Sequence, residues 1–209
     1  HNLSVNQKSS EGYIKGMDYK IRRYYYQAST NINDIQTRFN AGYTNKKFGA
    51  FSFYTPKFPD QFEITNTTFI ALQIKKKGKI QLENKMYWRN HTDEFILFRE
   101  NPDWYHNFHE TNVFGIDMNI IQKTKIGTNV VGMEIRNDNI ISNVLGDSLK
   151  NPIRIDEGNF YYKGANKTTT NIFAEKNIKL KNLIISTGFM MNIDSEYGNE
   201  YFPGIDVSH

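Results

Sequence analysis

The feature that most constrains this chain is a two-residue alternation of apolar and polar side chains, recurring in stretches of about ten residues. Ile80, Leu82, Met86 and Trp88 fall on one side of one stretch. Gln81, Glu83, Lys85, Tyr87 and Arg89 fall on the other. Phe114, Ile116, Met118 and Ile120 likewise oppose Val113, Gly115, Asp117 and Asn119, and Val131, Met133 and Ile135 oppose Gly132, Glu134 and Arg136. Leu183, Ile185, Phe189 and Met191 share a face opposite Ser186, Gly188 and Met190, and Thr37, Phe39, Ala41 and Tyr43 oppose Arg38, Asn40 and Gly42. Successive side chains of a strand point to opposite faces, so this period specifies strands with one apolar face. No segment sustains a helical period.

About ten strands are expected on this pattern, near 1–7, 18–29, 33–45, 62–75, 79–92, 111–122, 126–136, 168–178, 181–192 and 200–209. The connections between them alternate strictly in length. Thr30–Ile32, Lys76–Gly78, Lys123–Lys125 and Lys179–Leu180 are tight, whereas Lys8–Met17, Asn45–Gln61, Asp93–Glu110, Asn137–Lys167 and Asp194–Asn199 are long. An antiparallel up-and-down meander, trimmed at one end and elaborated at the other, produces that alternation.

Composition agrees. Aromatic residues make up 14% of the chain, and much of the polarity comes from Asn, Thr, Ser and Lys rather than from helix formers. There is no cysteine, which excludes a disulfide framework, a thiolate metal site and cysteine catalysis. The absence fits a reducing cytosol and equally a chain that crosses an oxidising compartment without thiols. The net charge of +4 is mild, and lysines gather at turns such as Lys75-Lys76-Lys77 instead of covering one face. That distribution argues against a nucleic-acid partner. No apolar run reaches the ~18 residues of a membrane-spanning helix. The first residues, HNLSVNQ, have neither an initiating Met nor a signal-peptide pattern, and the last, YFPGIDVSH, stop in strand pattern. Both ends are expected to be those of a piece of a longer chain, or of a mature chain without its leader.

Alternation alone leaves two architectures. One is a soluble antiparallel sheet with its apolar face on a core. The other is a transmembrane β-barrel, in which a closed sheet pairs every backbone group because hydrocarbon cannot. Three features favour the barrel: Arg and Glu at neighbouring positions of the polar face, loops that differ in length by side, and no helix to cover the apolar face. Tyr43 and Trp88, near strand ends, then suit interfacial girdles.

A family resemblance lies in five ordered stretches. They are AGYTNKKFGAFSFYTPKFPDQFEITNTTFIALQ (41–73), MYWRNHTDEFILFRENP (86–102), HETNVFGIDMN (109–119), RNDNIISNVLG (136–146) and YFPGIDVSH (201–209). Together they resemble the barrel of TonB-dependent outer-membrane receptors, above all the BtuB-like and siderophore-type receptors of Bacteroidetes. Each stretch is weak, and their order carries the specificity. The resemblance implies a barrel of about 22 strands around a plug, with residues 1–209 as part of one barrel domain and the plug and remaining strands outside this chain. It implies the outer membrane of a Gram-negative bacterium, a lipid bilayer around the wall, TonB acting through the plug, and a scarce small-molecule nutrient such as cobalamin or a ferric siderophore. Arg38, Glu83, Lys85, Arg89, Asp117, Glu134 and Arg136 would then face the lumen. In the outer loops, Phe51, Phe53, Tyr54, Phe58, Trp104 and Tyr105 would offer apolar and stacking surface to a ligand. The same aromatics equally suit packing of the loops against each other. A soluble β-sheet binding or adhesin module and a simple porin are the readings from other classes.

Other candidates carry less. His91, His106 and His109, with Asp93 and Glu94, follow no metal-ligand spacing, and no metal site is expected. Asp138, Asp147, Asp156 and Glu157 are carboxylates of the kind Ca2+ takes, without EF-hand spacing. No nucleophile–base pair, phosphate-binding Gly-rich loop or acid–base carboxylate pair stands out, so no enzymatic activity is expected.

Overall fold

The computed structural model describes residues 1–155 and 158–209. Eleven strands form one antiparallel sheet. They are β1 (Asn2–Ser10), β2 (Tyr19–Ile32), β3 (Ile35–Gly49), β4 (Phe62–Lys76), β5 (Ile80–Ile96), β6 (His106–Thr124), β7 (Gly127–Ser142), β8 (Asp147–Arg154), β9 (Phe160–Leu180), β10 (Leu183–Asp194) and β11 (Gly198–Ser208). Neighbours in sequence are neighbours in space, with one exception: β8 is a side hairpin on β9, and β7 pairs directly with β9. This is the expected meander, with one strand more. The described residues otherwise hold a single 3-10 turn, Pro102–Trp104. No helix among them is long and apolar enough to cross a membrane, which says nothing about crossing by strands.

The short turns fall where expected, within three residues. Asn33 and Lys181 take left-handed backbone there, at φ 51° and 47°. The long connections are shorter than expected because the strands run on into them. β5 continues to Ile96, β6 starts at His106, and the stretch read as one loop over 137–167 is largely the end of β7, β8 and the start of β9. Alternation is lost in RNDNII and NKTTTN because both faces are polar there. Backbone pairing persists without it.

Register lines make the two faces explicit. Ile74, Asn84, Met118, Met133, Ile172 and Met191 are partners across six strands. The row Leu72, Met86, Ile116 and Ile135 lies two residues away on the same face. Among the described residues no layer packs on this apolar face: Ile120 is 51% exposed, Val131 52% and Phe189 48%. What is buried gathers elsewhere. Ala50, Gln61, Phe62, Leu97, Phe108, Ser142 and Tyr161 all lie toward the long-loop end. The sheet therefore has no core of its own over most of its area. Its first and last strands, β1 and β11, each have one neighbour.

Candidate functional site

On the opposite face, one register line joins Arg38, Gln73, Lys85, Asp117, Glu134, Asn171 and Asn192. Glu83 and Arg89 share that face with Lys85, and Arg136 shares it with Glu134, since each is an even number of residues away. All seven residues expected at a lumen thus stand on one face. Many of its charges are matched locally. Lys75 Nζ lies 2.9 Å from Glu83 Oε2, and Lys167 Nζ lies 2.9 Å from Asp194 Oδ2. The Arg136 guanidinium donates to both carboxylate oxygens of Asp138, at 2.8 and 2.7 Å. Asn171 donates to Glu134 at 3.3 Å. The Lys85 ammonium sits 5.1 Å over the Tyr87 ring.

Three glycines on this face are covered by aromatic rings from the neighbouring strand: Gly42 by Phe69, Gly115 by Tyr87 and Gly132 by Phe173. A Cβ on Gly115 would lie 2.2 Å from Tyr87 Cζ. These rings lie down on the sheet instead of standing off it, which keeps the polar face low.

The apolar face ends, toward the long loops, in a belt of carboxamides. Asn45 Nδ2 and Tyr43 Oη both donate to Asn66 Oδ1, at 2.7 and 3.1 Å, and Asn66 Nδ2 donates to Thr92 at 3.1 Å. Asn90 donates to Glu110 and Asn112, at 2.8 and 3.0 Å. Asn137 donates to Asn166 and Thr168, at 2.7 and 2.9 Å. These groups satisfy one another across the strands. That is how a strand end that is polar on both faces remains paired and ordered.

Three loops close over the long-loop end of β2–β5. The 50–61 loop carries six aromatics or prolines within a nine-residue run, and its backbone is tied down: Ala50 N–H donates to Gln61 O at 2.8 Å, and Phe51 N–H to Gly16 O at 3.2 Å. The buried Gln61 carboxamide oxygen accepts from Tyr54 N–H at 3.2 Å, and Tyr54 Oη donates to Glu63. Burial and the Glu63 carboxylate push the Tyr54 hydroxyl up to about 12. Phe58 packs edge-on to Phe98 at 5.4 Å and lies 6.0 Å from Trp104; Phe98 and Trp104 are 4.8 Å apart. Arg99 clips the three loops together. Its guanidinium donates to both Asp18 oxygens at 2.6 and 3.0 Å, its N–H donates to Asp60 O at 3.2 Å, and its charge stacks 4.0 Å over Phe62. Those hydrogen bonds, and then the charge, hold Asp18 below the usual carboxylate range.

Of the six aromatics expected to meet a ligand, Phe58 is therefore a packing residue between two loops. Phe53 is 76% exposed, Trp104 59% and Tyr54 58%, with Tyr105 and Phe51 less so. The spacing of Arg99 from Asp18 gave no sequence signal; the two are 81 residues apart. Gln61 and Glu63, two polar residues flanking Phe62 in a dense aromatic run, were the legible hint of a buried polar anchor.

The three histidines are not brought to one face. His91 and His109 bond to the Thr67 and Ser142 hydroxyls at 2.8 Å each, and His106 lies on the other face, 3.6 Å from Glu94. No group of three or more His, Cys, Asp or Glu with metal-holding geometry occurs among the described residues. Of the carboxylates considered for Ca2+, Asp138 is on strand β7 and held by Arg136, Asp147 opens β8, and Asp156 and Glu157 lie outside the described residues.

No family model matches the sequence, and no curated protein matches it. Solved structures do. The chain is similar to the siderophore receptor PirA from Pseudomonas aeruginosa, with TM-score 0.64 and 13% identity over 91% of this chain and 30% of that one. It is similar to a mutant of the ferric enterobactin receptor PfeA from Pseudomonas aeruginosa, with TM-score 0.63 and 12% identity over 98% of this chain and 33% of that one. It is similar to the FrpB iron transporter from Neisseria meningitidis, with TM-score 0.64 and 12% identity over 91% of this chain and 32% of that one. The chain spans about a third of the length of each. At these identities the likeness is one of fold alone: the antiparallel sheet of this chain matches part of the fold of each of these proteins.

Proposed function

We propose that the chain is part of the barrel wall of an outer-membrane receptor that takes up a scarce nutrient, with a ferric siderophore as the first ligand to test and cobalamin as the second. The observation that carries this reading is the open apolar face of a sheet that lacks a core, backed by a face of charges and carboxamides. In water such a face is a liability; against acyl chains it is the required surface. The apolar face then meets the bilayer, and Arg38, Glu83, Lys85, Arg89, Asp117, Glu134 and Arg136 line a lumen. Strands and a plug outside this chain would complete the barrel, and TonB would act through that plug. The likeness to two siderophore receptors and an iron transporter supports ranking siderophores above cobalamin.

The long loops would lie outside the cell, with Phe53, Tyr54, Trp104 and Tyr105 offering exposed ring surface to the ligand and Phe51 and Phe58 holding the loops in place. The test uses the native protein from purified outer membranes. Its intact mass and membrane retention come first, followed by titration with ferric siderophores and with cobalamin. A chain several times longer that stays with the membrane and binds one of these ligands supports the reading. A chain that washes off the membrane overturns it. Deleting residues 50–58 should weaken ligand binding; unchanged affinity removes the contact role of that loop.

A further inference from the structure

The short-turn end of the sheet is a cationic rim, and the function proposed above leaves it without a role. The β4–β5 turn carries Lys76, Lys77 and Lys79, the β6–β7 turn Lys123 and Lys125, and the β9–β10 turn Lys176, Lys179 and Lys181. These three turns are consecutive along one edge of the sheet. All eight lysines are exposed, and none is in an ion pair among the described residues. The nearby acids do not offset them: Glu83 is held by Lys75, Glu175 accepts from Asn177, Asp206 lies on edge strand β11, and Asp34 alone stands in the adjoining β2–β3 turn.

The rim is also continuous. Lys77 N–H donates to Asp34 O at 2.8 Å, Lys123 N–H to Lys79 O at 3.3 Å, and Lys179 N–H to Ile126 O at 2.9 Å, so each turn is bonded to the next. The backbone thus holds like charges side by side in a fixed row, where flexible loops would let them spread. On the apolar face Lys76 follows Ile74, and Lys176 follows Ile172 and Ala174, so charged heads stand immediately below apolar rows. Lysines in that position lay their methylenes along the acyl region and lift the ammonium to the headgroups.

We infer that this rim binds the phosphates of anionic phospholipids in the leaflet that surrounds the short-turn end. The inference rests on the membrane-spanning reading above. A row of point charges at the edge of an apolar band matches a headgroup layer in both position and sign. An acidic protein would need no such adjacency to the apolar rows.

The test uses the whole receptor in nanodiscs of phosphatidylcholine, with and without phosphatidylglycerol. Phosphatidylglycerol should raise its melting temperature, and the increase should shrink as salt is taken from about 0.1 M to about 1 M. Replacing Lys76, Lys77, Lys176 and Lys181 together by Gln should remove at least half of that increase. The matching Arg variant should keep it, which separates loss of charge from loss of folding. Equal Lys→Gln changes at Lys8, Lys15, Lys57 and Lys150, near the long-loop end, should leave it intact. A receptor that inserts but shows no phosphatidylglycerol dependence, or whose Gln variant keeps the full increase, overturns the rim assignment alone. A protein that does not enter nanodiscs at all overturns the membrane reading, and this one with it.

Discussion

The two faces of this sheet are built from the same strands but solve opposite problems. The apolar face offers Ile, Met, Val and Phe side chains across its middle, with Asn84 among them, and gathers carboxamides in a belt at the long-loop end. There Asn45, Asn66, Asn90, Asn112 and Asn137 bond mainly to neighbouring side chains. The polar face keeps formal charges throughout and pairs them, as in Lys75–Glu83 and Arg136–Asp138. The difference teaches where charge is tolerated. An uncharged carboxamide that donates and accepts within the sheet remains satisfied when water is scarce. An ammonium or carboxylate needs either water or a counter-ion.

Breaking that comparison should be easiest at the middle of the apolar band. Met118→Arg puts an unpaired charge between Asn84 and Met133, with the apolar rows of Ile116 and Ile120 on either side. It should destabilise the folded receptor in a bilayer by about 2–4 kcal/mol. Asn119→Arg, one residue on, points at the polar face beside Glu83 and Asp117 and should change stability by less than about 1 kcal/mol. Urea unfolding in vesicles reads both, and equal effects would mean that the two faces do not differ in environment.

A second change tests how closely the polar face is packed. Gly115→Val forces a branched side chain into the space of the Tyr87 ring, where even a Cβ would lie 2.2 Å from Cζ. The cost should be about 1–3 kcal/mol. Adding Tyr87→Ala should return part of it, because the ring is the obstacle. Absence of any rescue in this double variant would place the strain in the backbone instead.

These contrasts mirror what the sequence makes legible. Where one face is apolar and the other polar, as from Phe114 to Ile120, alternation gives both the strand and its orientation. Where carboxamides occupy both faces, as in RNDN, hydropathy carries no period, and the end of β7 is missed for that reason; β8, eight residues long with Pro152 and a register shift within it, is too short and irregular to show one. The charged residues of the polar face follow from parity alone. The loop contacts do not, since Asp18, Asp60, Phe62 and Arg99 meet only through tertiary folding. An aromatic-rich loop such as FSFYTPKF announces that it packs against something, and only the structure shows that Phe58 takes Phe98 and Trp104 as partners.

A smaller effect tests the carboxamide belt. Asn66→Ala removes the acceptor of Tyr43 and Asn45 and the donor to Thr92 in one change. The expected loss is about 1 kcal/mol, because the freed groups stay close enough to the strand ends to find water. Asn66→Asp should cost more than Asn66→Ala in a bilayer, since it adds a second carboxylate to a belt where Glu110 already takes the donors of Asn90 and Asn112. The reverse order, read by the same urea titration, would show that water already reaches the belt.

The smallest effect on global stability, and the most local, concerns Arg99 and Asp18. Both side chains are partly exposed, so Arg99→Ala should change unfolding by no more than about 1 kcal/mol. Its consequence should appear in the loops it joins: faster backbone hydrogen exchange at Ala50 and Phe51, which bond to Gln61 and Gly16 beneath the clip. The pH dependence has a definite sign. Hydrogen bonds from Arg99, with its charge, depress Asp18 below its ordinary value of 3.8. A group whose folded value is depressed stabilises fully above its unfolded value and loses that contribution as pH falls through the folded one. Exchange at Ala50 and Phe51 should therefore stay slow from neutral pH down to the ordinary carboxylate range and quicken only below it. In Asp18→Asn, where no carboxylate titrates, exchange should already be fast at neutral pH and show no acid step. An acid step that survives in Asp18→Asn would assign the transition to another group, such as the buried Glu63, and not to the Arg99–Asp18 pair.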